Sequence, residues 1–227
     1  RLALGRVPPR ISVMVRQLAD ATTAEMATKA YRDCFAYSDD DRAQIVKAGG
    51  IHLVVAAMEK YHDSAAVQKE SCWALINLAV DDGNQIAIAM VGGIKAVVIA
   101  MRRHKWSVGI QEAACAALAN LSTNNNDNKI EIAEAGGIEA VVTAMHRLMD
   151  SAGVQEKACA ALSNLAHVND DIRIAIAKAR GIEAIVSAMR RHERLVGVQE
   201  KACTALRNLA YNDAIVFAIA KAGGIEA

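Results

Sequence analysis

The sequence predicts an all-α solenoid, a stack of helical units that recur every 43 to 44 residues. Three periodic features predict it. Glycine-isoleucine junctions stand at Gly50-Ile51, Gly93-Ile94, Gly137-Ile138, Gly181-Ile182 and Gly224-Ile225, with the isoleucines 43, 44, 44 and 43 residues apart. After each of the first four junctions an apolar face returns, so that Ile51, Val54, Val55 and Met58 become Ile182, Ile185, Val186 and Met189 in the fourth unit. Steps of three, four and seven mark one side of an α-helix. Cys72, Cys115, Cys159 and Cys203, separated by 43, 44 and 44 residues, open a recurring string that reads CWALINLA in its first copy.

Each unit runs as a short helix, a glycine corner, a long helix, a polar loop and a second long helix. The short helix is introduced by Asn or Asp, as in NNDNKIEIAEAGG from Asn125 to Gly137, whose side chain can cap the first turn. The glycines that follow supply the positive φ that ends it. The last helix is typified by VQEKACAALSNLA, Val154 to Ala166, where Val154, Ala158, Cys159, Leu162 and Leu165 form the inward stripe.

Full units are expected from about 39 to 81, 82 to 123, 124 to 168 and 169 to 211. Residues 1 to 38 read as an N-terminal segment with a degenerate unit, built from ISVMVRQLAD and AEMATKAYRDCFAY, in which Asp33 takes the place of the string's Asn and Cys34 that of the next Leu. Residues 212 to 227 start a further, truncated unit that stops at GGIEA. A solenoid end needs a polar cap, so the expectation is a piece of a longer array with an uncapped C-terminal end open to end-to-end contact.

Composition agrees with small, repetitive helix packing. The chain is 53% hydrophobic but 4% aromatic, with two prolines in 227 residues. Lys plus Arg is 26 against 25 for Asp plus Glu, a balance that gives no push toward nucleic acid or a membrane surface. No apolar run is long enough to insert in a bilayer. Five cysteines with no C-x-x-C pair, and six histidines without shared spacing, encode no metal site and no cofactor. Core thiols imply a reducing, intracellular setting, cytoplasmic or nuclear. No phosphate-binding loop, nucleophile-base pair or paired acids are present, so an enzyme is not expected.

The 43-residue period fits both armadillo and HEAT repeats in length. The Gly-Gly corner resembles the turn between the first and second helices of armadillo repeats, and W-A-L-x-N-L-A, Trp73 to Ala79 in the first copy, resembles their third helix in proteins of the importin-α type. The resemblance covers about 215 residues. It implies a right-handed superhelix whose third helices line a concave groove, and a Trp and Asn set that holds an extended basic peptide.

The candidate site follows from the third-helix wheel. With the Cys and Leu positions inward, Asn77, Asn120, Asn164 and Asn208 form a column across four units, and so does the set Lys69, Glu112, Glu156 and Glu200, one turn before the Trp73 position. Asn both donates and accepts, which suits the backbone of an extended partner segment. Trp73 has Ala116, Ala160 and Thr204 as counterparts, so the indole array has one member. A structural reading stands beside this one, in which the Asn column bonds to the adjacent repeat and sets the curvature. The expected function is a non-enzymatic module that binds a protein or an extended peptide. The alternative is a scaffold segment docking through its open end or through a basic ridge at Arg102, Arg103, Lys105, Trp106, Arg190 and Arg191.

Overall fold

The protein's fold, taken from a computed structural model, is described for residues 9–27, 39–167 and 169–224. Asp33 and Cys34 lie outside the described residues. Among the described residues the regular structure is helix alone. An isolated helix, α1 (Pro9–Ala19), precedes a regular series of triples. The first is α2 (Asp39–Lys47), α3 (Gly50–Lys60) and α4 (Ala65–Leu78); the second α5 (Asp82–Met90), α6 (Gly93–Arg103) and α7 (Val108–Leu121). The third is α8 (Asn126–Glu134), α9 (Gly137–Arg147) and α10 (Ala152–Ala166); the fourth α11 (Asp170–Lys178), α12 (Gly181–Arg191) and α13 (Val196–Leu209). A last short helix, α14 (Asp213–Lys221), opens a further unit.

The corner between short and long helix is built by two residues with separate tasks. Gly136 has φ 75°, and the equivalent position in the fourth unit is Arg180, held at φ 64°. Gly137 is needed for a different reason: a Cβ there would meet the Ile132 carbonyl at 2.8 Å. The short helix therefore ends in a left-handed residue and the long one starts pressed on its last turn. In the second unit α5 and α6 meet at 70°. The polar starts cap as expected, since Asp81, Asn125 and Asn169 each accept from the backbone N–H three residues on at 3.0 Å.

A buried glutamine closes the other end of each second helix. Gln68, Gln111, Gln155 and Gln199 donate Nε2 to the carbonyls of Met58, Met101, Met145 and Met189, at 2.8 to 3.0 Å. The same amides reach the C-cap carbonyls of Tyr61, His104, Leu148 and His192 at 3.1 Å. The C-cap carbonyls also accept a backbone N–H from three residues on, whereas the methionine carbonyls are among the helix-end groups left over by the helix itself, so one side chain at a repeated position ties the third helix to the end of the second.

The most extensive packing joins successive third helices, α4 to α7, α7 to α10 and α10 to α13. Cys72, Cys115 and Cys159 are wholly buried there with Leu75, Leu118 and Leu162. Cys203 was expected with them and is exposed; it lies on α13, the last third helix among the described residues. Ser163, the residue before Asn164, is buried beneath Asn208 of the following unit. No single helix among the described residues is long and apolar enough to cross a membrane.

Candidate functional site

The third helices present their exposed face as columns, because each contributes the same positions at the same height. The Asn column is tied into the stack. Asn120 Nδ2 donates to the carbonyl of Ile76 at 3.1 Å, Asn164 Nδ2 to that of Ala119 at 2.9 Å, and Asn208 Nδ2 to that of Ser163 at 3.0 Å. The acceptor is in each case the residue before the preceding unit's Asn. A carbonyl can only accept, so the amide orientation is settled by its partner. Each Asn thus satisfies a carbonyl of its neighbour with the nitrogen, and Oδ1 accepts no hydrogen bond from the described residues. Asn164 also reaches Thr123 Oγ1 at 3.1 Å, and Asn208 reaches Ser163 Oγ at 3.2 Å.

Asn77, Asn120 and Asn164 are half-buried and Asn208 is buried. Trp73 is half-buried and packed against the core rather than standing free. Its counterparts Ala116, Ala160 and Thr204 are half-buried too, so the face has one large side chain at the N-terminal end and a floor of small ones beyond it.

The glutamate column has an inter-repeat role. A Cβ on Gly153 would come within 2.7 Å of Glu112 Oε2, and one on Gly197 within 2.6 Å of Glu156 Oε2. Those glycines lie in the first turns of α10 and α13, where a carboxylate is favoured by the helix dipole. In the first unit the position is Lys69, whose stem lies over Gly109 in the first turn of α7. Glu156 pairs with Lys157 at 2.7 Å and Glu200 with Lys201 at 2.9 Å. Glu112 is followed by Ala113 and has no such partner among the described residues.

The sequence offers the basic ridge as an alternative docking surface. In the structure its cations reach neighbouring units. Arg102 Nη2 donates to the Ala135 carbonyl at 3.0 Å, and Arg190 Nη2 to that of Gly223 at 3.4 Å, so both grip the next corner. Arg103 turns back to Asp63, with Nε at 2.6 Å, and Arg191 turns back to Asp150. The Arg103 guanidinium bonded to Asp63 holds that carboxyl below the usual carboxylate range. Between the second and third units the place of the acid is taken by Trp106, and Arg147 stacks over its ring at 4.6 Å from the centroid. Trp106 is 62% exposed, and Lys105 beside it is exposed as well.

Burial, charge and chemistry do not assemble a reactive centre among these groups. Burial pushes the Cys72 and Cys159 thiols up to about 12 and Cys115 higher still, which makes them poor nucleophiles. No cluster of His, Cys, Asp or Glu among the described residues could hold a metal ion. The face offers hydrogen-bond acceptors, small apolar floor residues and one indole, the equipment of a binding surface.

Residues 12–219 match the family described as the LRRK2 ARM repeat. Among solved structures, an engineered protein is 30% identical with a TM-score of 0.83, over 95% of this chain and 86% of that one. A designed armadillo repeat protein, solved in complex with the peptide (KR)4, is 21% identical with a TM-score of 0.82, over 95% and 89% of the two chains. Another structure, of armadillo repeat proteins computationally designed for modular peptide recognition, is 24% identical with a TM-score of 0.73, over 87% and 81%. No curated protein matches the chain.

Proposed function

The chain belongs to the LRRK2 ARM repeat family, and we propose that it is a non-enzymatic binding module that holds an extended segment of a partner protein along its third-helix groove. The observation that carries this is the row of Asn120, Asn164 and Asn208, whose nitrogens are fixed on the neighbouring helix while Oδ1 accepts from none of the described residues. A side chain anchored at one end loses little freedom when its other end accepts a peptide N–H. Successive third helices about 10 Å apart would pass roughly three extended residues per unit, at about 3.3 Å each.

Selectivity for basic side chains is narrower than the column of acids suggests. Glu156 and Glu200 are neutralised by the lysines that follow them, whereas Glu112 is not. One cationic residue of the segment, placed against Glu112 with its stem across the Ala116 floor, is the preference we propose. The designed armadillo protein solved in complex with the peptide (KR)4 supports a peptide as the kind of ligand. An intracellular setting, cytoplasmic or nuclear, belongs to the same proposal and is supported by four free thiols among the described residues. A second reading, docking through the ridge, is favoured by exposed Trp106 beside Lys105.

The test is peptide selection on this chain, counter-selected on Ala116→Arg/Ala160→Arg, which fills the floor without touching the Asn bonds. An extended motif retained only by the parent chain supports the groove. Equal enrichment on both sinks it, and loss on Trp106→Ala instead transfers the function to the ridge.

A further inference from the structure

The first helices carry a feature that neither the core nor the groove uses. Each contains two apolar residues two apart: Ile86 and Ile88, Ile130 and Ile132, Ile174 and Ile176, Phe217 and Ile219. Two residues apart is about 200° around a helix, so only one member of each pair can face the core. Ile88, Ile132 and Ile176 are wholly buried. Their partners stand outside, Ile86 53%, Ile130 43% and Ile174 37% exposed, with Phe217 continuing the series at 74%. Every one lies seven residues before the second corner position, at Gly93, Gly137, Gly181 and Gly224, so they fall in register along one edge of the solenoid. Single exposed isoleucines need no explanation, but a row of them does.

Acids accompany the row. Ile86 lines a cleft with Asp82 on its own helix and Asp127 on the next first helix. Ile130 lines the following cleft with Asp127, Glu131 and Glu134, where Lys95 is the one cation. Asp171 stands one turn before Ile174, and Lys178 one turn beyond it. The middle of the edge is therefore an aliphatic row set in negative charge.

We infer that this first-helix edge is a second interaction surface, separate from the groove, and that its occupant is a basic amphipathic helix of a partner protein. The spacing selects a helix. Neighbouring units are about 10 Å apart, and a heptad of α-helix advances about 10.5 Å, so apolar residues at i, i+7 and i+14 meet Ile86, Ile130 and Ile174 in turn. The charge selects the partner. Lys or Arg beside that stripe faces Asp82, Asp127, Glu131 and Glu134, whereas a second copy of this chain would oppose acid to acid along the same row.

Two labelled helical peptides of three heptads test it, alike in their leucine stripe and flanked by lysine in one and by glutamate in the other. The chain is expected to bind the lysine peptide and to reject the glutamate peptide. Ile86→Ser/Ile130→Ser/Ile174→Ser, with helicity and melting temperature checked against the parent, weakens binding by about tenfold or more. Asp127→Asn/Glu131→Gln/Glu134→Gln weakens it and flattens its salt dependence. Ala116→Arg/Ala160→Arg leaves it unchanged, which separates this surface from the proposed groove. The inference is overturned if the lysine peptide does not bind, if the serine variant binds it as the parent does, or if blocking the groove removes binding. It is equally overturned if the parent sediments as a dimer that the serine variant dissolves, because a second copy then covers the row.

Discussion

Asn164 and Ala119 are joined across a repeat boundary, the amide nitrogen of one donating to the backbone carbonyl of the other at 2.9 Å. The bond spans 45 residues of sequence and links two third helices directly. Its repetition at Asn120 and Asn208 makes the column both a spacer between units and the frame of the proposed groove. The two readings of the Asn column open in the sequence are thus compatible, because only the nitrogen of each amide is used between units and Oδ1 accepts from none of the described residues.

Replacing Asn164 by Ala should lower stability by about 0.5–1.5 kcal/mol, the loss of one hydrogen bond between units, because the Ala119 carbonyl keeps the Ser122 and Thr123 hydroxyls as donors. Asn208→Ala should cost at least as much, since that side chain is buried. Asn164→Asp keeps the shape but sets a carboxylate against a carbonyl, and should be worse than Ala. Urea unfolding of the three variants checks the order; a neutral Asn164→Ala would show that the bond does not hold the units together.

The units were legible in the sequence because they rest on local pattern: helical steps after Ile51, Ile94, Ile138 and Ile182, and caps a few residues away. Contacts between units were not, because they pair residues about 40 positions apart. Arg103 and Arg191 stand out in the sequence as part of a basic ridge, but nothing near them points to Asp63 and Asp150. Cys203 shares the string of the other cysteines and differs only in what lies beyond it. The glutamine ladder did leave a signal, a glutamine preceded by valine in three units and by isoleucine in the second, at the same offset in all four, where an amide recurs at a position that apolar periodicity would bury.

Gln111 and its equivalents should therefore be among the costliest polar positions. Gln111→Ala strips the donor from the Met101 carbonyl at the end of α6 and one of two donors from that of His104, which keeps the Ser107 N–H, and should cost about 1–3 kcal/mol. Exposed Gln-to-Ala changes serve as the reference and should be near neutral. Thermal melts that place Gln111→Ala within the reference range would refute the capping role.

Arg180 sits at φ 64° where the four other corners carry glycine. A left-handed conformation crowds any Cβ, and the Arg180–Glu183 contact, 3.8 Å apart and exposed, offsets little of that. Arg180→Gly should stabilise the chain by about 0.5–1 kcal/mol, and Gly136→Ala should destabilise it. A lower melting temperature for Arg180→Gly would show that the arginine makes a contribution beyond its corner.

Lys69 lies where the next two units have Glu112 and Glu156, over the first turn of the following third helix. A cation there opposes the helix dipole and an anion complements it. Lys69→Glu is expected to raise stability by about 0.3–1 kcal/mol at low ionic strength, with the gain shrinking as salt is added. Equal stability of parent and variant across salt concentrations would mean that the glutamates lie over those turns without electrostatic benefit.

The buried thiols set an alkaline limit on the fold. Burial holds Cys72 and Cys159 protonated up to about 12, from an ordinary 9.0, and shifts Cys115 in the same direction. Below pH 9 both folded and unfolded chains keep these protons, so the thiols add no pH dependence there. Between 9 and 12 the unfolded chain releases them and the folded chain does not, so stability falls as pH rises through that window. In a Cys34→Ala background, Cys203 should react with a thiol reagent at once and the other three only as the chain opens. Cys72→Ala/Cys115→Ala/Cys159→Ala should flatten the alkaline slope of the unfolding free energy, even though removing the sulfurs lowers its value at pH 7. If the slope persists in that variant, groups other than these thiols govern it, and rapid labelling of all four would place the cysteine stripe outside the core.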